Sequence, residues 1–402
     1  MSSPFATIAE AVSAASSGHM IKLAPGTYKG PGNRNLDLGT KELIVKSAQG
    51  PLTTVIDCEG QGRAFRVAGG QTSATMIADL AIRNGSEAQG GAIFVSGASP
   101  LLANCIFVDC AAASSGGALY ATSSALRIER CAFLGNTASP GSNNAGGAGI
   151  GLFGCDARVL RCLFDGNDVL GAGGGLLGSG GSSGVSDSTF RNNSAFRGGG
   201  AYVRDSVGPV GIVDCQFEGN AASRGGGLAS LNAWGDVALC TFGGNNASEG
   251  GALYAWSTPA AEWVLSNSIL WGDAAPTGGE IAFNGSLRVE ASDVAGSLAG
   301  VAVGSLGPVG TLTWGPANID ADPLFNAPGD YRLQPLSPCI DAGDNTLVPP
   351  DLTDVDGDGI VTEPVPLDLD LLGRFFDVPT APNTGNGPRP LVDMGAYEAR
   401  TP

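Results

Sequence analysis

Lysine and histidine are nearly absent from this sequence. Its 402 residues contain four lysines, all before residue 47, and one histidine, and the formal net charge is −17. A nucleic acid or an anionic membrane surface is bound through a basic patch, which this composition does not supply. The single histidine, His19, also gives little basis for a Ser/His/Asp triad. We therefore expect no nucleic-acid partner.

Long apolar runs and aromatic residues are scarce as well. No run approaches the roughly 20 apolar residues of a membrane-spanning helix, and "MSSPFATIAEAV" lacks the basic start and apolar stretch of a signal peptide. We expect no membrane span and no signal peptide in these residues. Aromatic residues make up 6% of the chain, whereas 64 residues are glycine. Glycine at regular spacing indicates stacked coils with many tight turns.

The sequence repeats with a period of about 26 residues. "GGALYATSSALRIERCAFLGN" is followed by "GGGAYVRDSVGPVGIVDCQFEGN" and "GGGLASLNAWGDVALCTFGGN". Three columns of small or apolar residues run through eight units. They are an aliphatic column (Ile77, Leu102, Ile128, Val159, Val185, Ile212, Val237, Leu265), a column of mainly Cys and Ser (Leu80, Cys105, Cys131, Cys162, Ser188, Cys215, Cys240, Ser268) and a column of mainly Phe (Ile82, Phe107, Phe133, Phe164, Phe190, Phe217, Phe242, Leu270).

The spacing of these columns predicts one coil of a parallel β-helix per unit. Cys and Phe two apart point to the same side of a strand, and a bend brings the aliphatic residue three positions earlier to that side too. The "GGAL" stretch supplies a third strand. Asparagines five positions after the Cys column should lie in turns and hydrogen-bond between coils. The predicted fold is an all-β, right-handed parallel β-helix of about 12 coils, by chain length over repeat.

The two ends of the chain depart from the repeat. Phe5, Ile8, Val12 and Ala15 form a helical stripe, so a capping helix is expected near residues 5–17. After about residue 310 proline and charge become frequent. We therefore divide the chain into an N-terminal capping helix at 1–20, a β-helix at 21–310, and an irregular C-terminal cap with an acidic appendage at 311–402.

The repeat motifs resemble those of the polymorphic outer-membrane proteins. These carry many copies of GGA followed by an aliphatic residue, and of FxxN; here "GGAI", "GGAL", "FLGN", "FDGN" and "FEGN" alternate in order over roughly residues 75–285. "IKLAPGTY", "DYRLQPLSPCIDAGD" and "VDMGAYE" are similar to segments of secreted, pectin-lyase-like β-helix proteins with a C-terminal anchoring segment. The resemblance implies a right-handed solenoid and an extracellular or cell-surface location.

The most specific local motif is "DVDGDGIVTE" at residues 354–363. Asp354, Asp356 and Asp358 before Gly359 match the start of a calcium loop, whose alternating carboxylates converge on one hard cation. The twelfth position is Val365 and not the usual glutamate, so Glu363 is the expected substitute. We expect structural calcium here; the alternative is a solvated acidic turn.

Catalytic residues are much less evident. The residue before each Cys is expected to face outward, and this places Asp187 beside Asp214, with Arg161 one coil away. Paired carboxylates can perform acid–base chemistry on a polysaccharide. The alternative is an exposed polar row, which we favour. Similarly, Trp256, Trp263 and Trp271 could stack on sugars if exposed, or could be core residues.

The nine cysteines are an odd number, and most lie in the interior columns. Cys131–Cys162 and Cys215–Cys240 have the spacing for disulfides between coils. We favour the alternative that Cys is a small apolar filler, because Ser188 and Ser268 share its column.

Two functions are consistent with these observations. We favour a non-enzymatic extracellular or cell-surface protein that acts as an adhesin-like, structural or glycan-binding scaffold. Its expected partner is a glycan or a surface protein, and we expect it to be a monomer. The alternative is a polysaccharide lyase or glycoside hydrolase acting on an acidic polysaccharide. An exposed cluster of carboxylates, arginine and aromatic residues in a groove would distinguish an enzyme from a scaffold.

Overall fold

The computed structural model describes residues 4–257, 261–307 and 309–400. It contains two compact units: unit 1 is Met1–Ser183 with Asn193–Arg197, and unit 2 is Gly184–Asn192 with Gly198–Pro402. Both are built from short parallel strands whose partners lie one coil away in the sequence.

Unit 1 begins with helix α1 (Ile8–Ala14), shorter than the predicted helix. Thr7 caps it: its side chain accepts from Glu10 N–H, and the Glu10 carboxylate accepts from Thr7 N–H. Ile8 and Val12 are buried, whereas Phe5 precedes the helix and is 58% exposed. The predicted apolar stripe is therefore only partly used, because the chain at Phe5 is not helical.

Three sheets of unit 1 form the walls of its coils, and a fourth, shorter sheet extends one corner. Sheet A contains β1 (Met20–Leu23), β4 (Ile44–Ser47), β7 (Met76–Ala78), β11 (Leu101–Ala103), β15 (Arg127–Glu129) and β19 (Arg158–Leu160). Sheet B contains β2 (Gly26–Tyr28), β5 (Thr54–Asp57), β8 (Ala81–Arg83), β12 (Ile106–Val108), β16 (Ala132–Leu134) and β20 (Leu163–Asp165). Sheet C contains β3 (Leu36–Asp37), β6 (Phe65–Val67), β10 (Ile93–Ser96), β14 (Leu119–Thr122), β18 (Ile150–Phe153) and β22 (Leu176–Ser179). Sheet D contains β9 (Ser86–Gln89), β13 (Ala111–Ser115), β17 (Thr137–Ala138) and β21 (Asp168–Val169).

Unit 2 repeats the three walls. Sheet A contains β23 (Gly184–Ser186), β26 (Val210–Val213), β29 (Gly235–Ala238), β32 (Glu262–Ser266), β35 (Ser286–Glu290) and β38 (Thr311–Trp314). Sheet B contains β24 (Thr189–Arg191), β27 (Gln216–Glu218), β30 (Thr241–Gly243), β33 (Ile269–Trp271) and β36 (Asp293–Val294). Sheet C contains β25 (Ala201–Arg204), β28 (Leu228–Leu231), β31 (Leu253–Trp256), β34 (Ile281–Asn284) and β37 (Val301–Val303). A hairpin of β39 (Phe325–Ala327) and β40 (Asp330–Leu333) follows, and short 3-10 turns lie at Pro31–Asn33, Ser297–Gly300 and Asn345–Leu347.

The predicted interior columns are buried in all eight sequence repeats from Ile77 to Leu270. Consecutive members are strand partners, as in Phe107↔Phe133 and Phe217↔Phe242, and their rings stack at 4.8 and 4.6 Å between centroids. The bend that restores parity is a left-handed residue directly before the Cys column, such as Asn104 with φ of 50°. The register derived from the sequence is thus confirmed.

The asparagine column forms the predicted ladder between coils. In unit 1, Asn136 and Asn167 each donate through Nδ2 to Oδ1 of the next rung, both at 2.9 Å, and their backbone N–H groups donate to the same oxygens. Each Nδ2 also donates to a backbone carbonyl of the preceding coil, Phe107 O and Phe133 O. These buried amides are therefore fully hydrogen-bonded.

Paired glycines precede the sheet C strands from β10 to β34 for steric reasons. Gly116 has φ of 68°, and a Cβ on it would lie 2.4 Å from Leu119 O. A Cβ on Gly117 would lie 2.3 Å from Ala148 O. The corner has no space for any side chain, so the repeat retains glycine there.

The C-terminal segment of unit 2 packs on the outward face of sheet B. Tyr397 Oη donates to Gln216 at 2.6 Å, and Ala396 N–H donates to Thr241 Oγ1 at 3.0 Å. Ile269 of β33 joins a core cluster with Cys339 and Met394 of this segment. Strand β38 still pairs with β35, so the regular coils continue to Trp314, beyond the boundary expected at 310.

Candidate functional site

The residues directly before the Cys column do not all face solvent, as the sequence had suggested. In unit 1, Arg130 is exposed and Asp79 is half-buried. In unit 2, Asp187 is 4% exposed, and Asp214 is completely buried. The expectation of an open polar row is therefore wrong for unit 2, because the C-terminal segment covers this corner of its coils.

Asp214 is ion-paired with Arg374, a residue of the covering segment. Both side chains are completely buried, and Arg374 also donates through Nη1 to Gly395 O at 3.1 Å and through Nη2 to Ala396 O at 3.3 Å. Burial raises the pKa of Asp214, and the positive charge of Arg374 opposes this effect. The pair holds the segment against the coils and is closed to any polysaccharide.

The three residues that the sequence singled out for catalysis therefore do not form an accessible site in unit 2. Asp187 and Asp214 lie at the covered corner, and Arg161 is a half-buried residue of unit 1. Substrate must reach a catalytic carboxylate, and this corner provides no opening.

The acidic loop brings its carboxylates together as the motif predicted. Two sets of three have oxygens within 4.8 Å of one another: Asp354, Asp356 and Asp358, and Asp351, Asp356 and Glu363. The turn is closed by Gly359 N–H donating to Asp354 at 3.0 Å and Ile360 N–H donating to Asp358 at 2.7 Å. Burial raises the pKa of Glu363, and the neighbouring aspartates raise it further. An oxygen-rich set of this kind fits Ca²⁺.

The cysteines, and the tryptophans Trp263 and Trp271, lie in or against the protein core. All nine cysteines are buried, and Cys215 and Cys240 are thiols whose Sγ atoms donate to backbone carbonyls of Val213 and Ala238. Trp263 is 1% exposed, and Trp271 packs against the core cluster under the C-terminal segment. The filler role for Cys matches this geometry.

An open cleft of about 410 Å³ lies on the outward face of sheet A in unit 2. It is lined by Trp234, Asp236, Ala261, Glu262 and Val264, together with Gly235. Trp234 precedes β29 and is 36% exposed. Asp236 and Val264 are strand partners on β29 and β32, so the backbone fixes the floor of the cleft.

Arg288 extends this cleft along the next strand. It is the partner of Val264 on β35, and its Nε lies 3.3 Å from Glu262 Oε2. Both side chains of the ion pair keep more than a third of their surface exposed. Asp236 also keeps exposed surface, but protein atoms crowd its carboxyl and raise its pKa, and the charge of Arg288 partly offsets this effect.

The cleft therefore contains an exposed indole, two carboxylates and a guanidinium on one rigid face. A cluster of this kind was expected to distinguish an enzyme from a scaffold, but its residues were not identified from the sequence. The sequence did contain a signal for three of them. Asp236, Val264 and Arg288 directly precede Val237, Leu265 and Val289, which are buried, so strand parity places them outward. The position of Trp234 before the strand carried no such signal.

Unit 1 has a polar cleft of about 610 Å³ beside sheets B and D. Three of its charged side chains are in ion pairs: Asp57 contacts Lys29 at 3.5 Å and Arg83 at 3.1 Å, and Glu59 contacts Arg34 at 2.5 Å. Its lining contains no aromatic side chain, so the sheet A cleft of unit 2, which has Trp234, is the stronger candidate for binding.

These features define a right-handed parallel β-helix protein of about 11 turns, fewer than length alone suggested because the C-terminal residues leave the repeat. A family model described as "Right handed beta helix region" matches residues 63–258. No curated protein matches the chain. Among the described residues, no helix is long and apolar enough to span a bilayer.

Solved structures similar to this chain include two of a GH87 alpha-1,3-glucanase catalytic domain. One is in complex with nigerose, at 11% identity and a TM-score of 0.25, and the other is a variant in complex with tetrasaccharides, at 12% and 0.24. In both cases the match covers 73% of this chain and 63% of the other, so this chain spans less than two thirds of those domains.

Proposed function

We propose that this protein is a glycan-binding β-helix scaffold that contacts its ligand through the Trp234 cleft of unit 2. The exposed indole beside Asp236, Glu262 and Arg288 is the observation that carries the proposal. The apolar face of a sugar ring stacks on an indole, while its hydroxyl groups donate to carboxylates and accept from a guanidinium. Residues on sheet strands are held in place before binding, which limits the entropy lost on association.

The charge of the cleft selects among glycans. Two carboxylates face one guanidinium, and the whole chain carries a net charge of −17. Like charges at an interface oppose binding, so a uronate chain is disfavoured relative to a neutral glycan. The expected ligand is an extended neutral polysaccharide.

A glycoside hydrolase is the second candidate, because the pKa of Asp236 is raised. In that reaction Asp236 would donate its proton to the glycosidic oxygen as the C–O bond breaks. Glu262 would take a proton from the water that adds to the anomeric carbon. The lyase form of this alternative needs a uronate ligand, which the cleft charge disfavours.

Binding and cleavage are separated by one set of variants. Affinity electrophoresis is run in gels that contain a neutral glucan, a galactan or chitin, with pectate as the acidic comparison. At least one neutral glycan should retard the wild-type protein, and Trp234→Ala should abolish this retardation. Trp314→Ala, which removes a half-buried tryptophan from the last strand of the same sheet, is the matched control and should bind normally. Equal retardation of wild type and Trp234→Ala, or none for wild type, would refute the proposal.

Release of reducing ends decides between scaffold and hydrolase. A scaffold releases none. A hydrolase releases them, and Asp236→Asn and Glu262→Gln then abolish release.

We also propose an extracellular or cell-surface location and a structural calcium ion at the acidic loop. The location is supported by the resemblance of the repeat motifs to exported proteins, and proteolysis of intact source cells tests it. Calcium is supported by the two carboxylate sets that share Asp356. The loop residues Asp354, Asp356, Asp358 and Glu363 would hold the ion, which would neutralise their charge.

A further inference from the structure

The asparagine ladder of unit 2 ends on an aspartate. Asn220 donates through its backbone N–H and Nδ2 to Oδ1 of Asn245, at 3.0 and 2.9 Å. Asn245 donates in the same way to Oδ1 of Asp273, at 2.6 and 2.8 Å. Asp273 follows β33 and occupies the rung that the repeat would give to another asparagine.

The second carboxylate oxygen of Asp273 stands where the preceding rungs have an amide nitrogen, and an ionised carboxylate oxygen cannot donate a hydrogen bond as that nitrogen does. In the two preceding rungs, Nδ2 donates to a backbone carbonyl, Phe190 O and Phe217 O, both at 2.9 Å. Asp273 Oδ2 is buried and has no hydrogen-bond donor among the described residues. An ionised carboxylate in this rung would offer only acceptors where the ladder needs a donor.

Glu280 brings a second carboxyl to the same place. It precedes β34, is 4% exposed, and interacts with Asp273 through its carboxyl group. Its Oε2 is likewise buried without a donor in the described part of the chain. Asp273 is half-buried as a residue, but its Oδ2 and the Oε2 of Glu280 are both out of contact with water. Two carboxyl groups in this geometry cannot both be ionised at low cost.

The surroundings supply no positive charge. The facing side chains are the neutral amide of Asn245 from the preceding coil and the phenol of Tyr331 from β40, whose pKa is raised by burial and by the charges of Glu218 and Asp273. The backbone N–H groups of Gly272 and Asp273 act on the Glu280 carboxyl and partly lower its pKa, and Glu280 N–H donates to Gly300 O at 3.1 Å. Within the described residues neither carboxyl has a Lys or Arg partner within 4.0 Å.

We propose that Asp273 and Glu280 form a proton-binding site that acts as a pH-sensitive lock on the last coils of unit 2. With one proton shared between them, one carboxyl donates to the other and the pair carries one negative charge instead of two. When that proton is lost, two buried carboxylates repel each other and the junction between β33 and β34 opens locally.

The electrostatics agree with this geometry. Burial raises the pKa of Asp273 to about 7, and burial together with the charge of Asp273 raises that of Glu280 to about 10. A folded-state pKa above the unfolded value means that the stabilisation is complete below the unfolded pKa and is lost progressively as pH rises to the folded pKa. The unfolded values are 3.8 for Asp273 and 4.5 for Glu280, so the lock weakens progressively from about pH 4 to about pH 10.

The test compares melting temperatures across pH. Wild type should lose several degrees between about pH 6 and pH 10. Asp273→Asn restores the amide rung and removes one acid, so it should melt higher than wild type at alkaline pH and show a flatter pH profile. Glu280→Gln removes the other acid and should flatten the profile as well. Asp322→Asn, at an exposed carboxylate of the same unit, is the control and should keep the wild-type profile.

A spectroscopic readout covers the case in which a variant folds poorly. Infrared difference spectra of wild type should show a protonated-carboxyl C=O band at pH 7 that disappears on alkaline titration. The proposal is overturned if that band is absent from wild type. It is also overturned if both variants fold and melt with the wild-type dependence on pH.

Discussion

Arg374 donates to the carboxylate of Asp214, and neither side chain has any exposed surface. The two residues are 160 apart in the sequence, and their ion pair joins the C-terminal segment of unit 2 to its coils. An ion pair without water around it depends on both partners, because the remaining charge would be left buried and uncompensated.

Removal of Arg374 should therefore destabilise unit 2 strongly. Arg374→Ala is expected to cost about 3–5 kcal/mol, the usual cost of breaking a buried pair on one side. Denaturant unfolding followed by circular dichroism measures it. Arg389→Ala, at an exposed arginine of the same segment, should change the midpoint little. If the two variants unfold at the same midpoint, the pair does not hold the segment in place.

The phenylalanine stack should be among the most sensitive parts of the core. Phe217 lies between Phe190 and Phe242 with ring centroids 4.8 and 4.6 Å away, and all three are buried. Phe217→Ala leaves a hole between two fixed coils and should cost about 3–5 kcal/mol. Phe5→Ala removes a 58% exposed ring and is the control. A wild-type denaturation midpoint for Phe217→Ala would show that the column is not core.

Calcium should raise the melting temperature modestly, because a ligand that binds only the folded form stabilises it. The expected ligands are carboxylate oxygens at about 2.3–2.6 Å. Asp356→Asn combined with Asp358→Asn should abolish the shift between chelator and millimolar calcium, whereas Asp377→Asn, at an exposed residue of the same segment, should preserve it. Identical melting curves of wild type in chelator and in calcium would leave the loop as a solvated acidic turn.

The cysteines should be unreactive in the native protein. Burial raises the pKa of Cys58 and of Cys110 to about 12, so the thiolate is scarce and shielded. A thiol reagent such as DTNB should label almost none of the nine cysteines before unfolding and all nine afterwards. Fewer than nine thiols in the unfolded, unreduced protein would reveal a disulfide.

Much of the structure of each coil could be predicted because the same residue pattern recurs in every repeat. The apolar columns from Ile77 to Leu270, the bend before Cys105 and the buried amide of Asn167 depend on strand parity and on neighbours one period away. Short-range constraints that recur in many repeats can be recognised in a sequence. The convergence of Asp354, Asp356 and Asp358 could also be predicted, because the three residues lie within a single turn.

Only the tertiary structure decided which surfaces remain open. The sequence placed Asp187 and Asp214 outward, and a segment more than a hundred residues later covers them through Arg374. Conversely, Trp234 and Glu262 come from separate coils and line one cleft, and Arg288 from a third coil pairs with Glu262, because their strands stack side by side. Parity along a strand is a local property of the chain. Covering or exposing a face depends on contacts between distant residues, and no pattern within one repeat encodes those contacts.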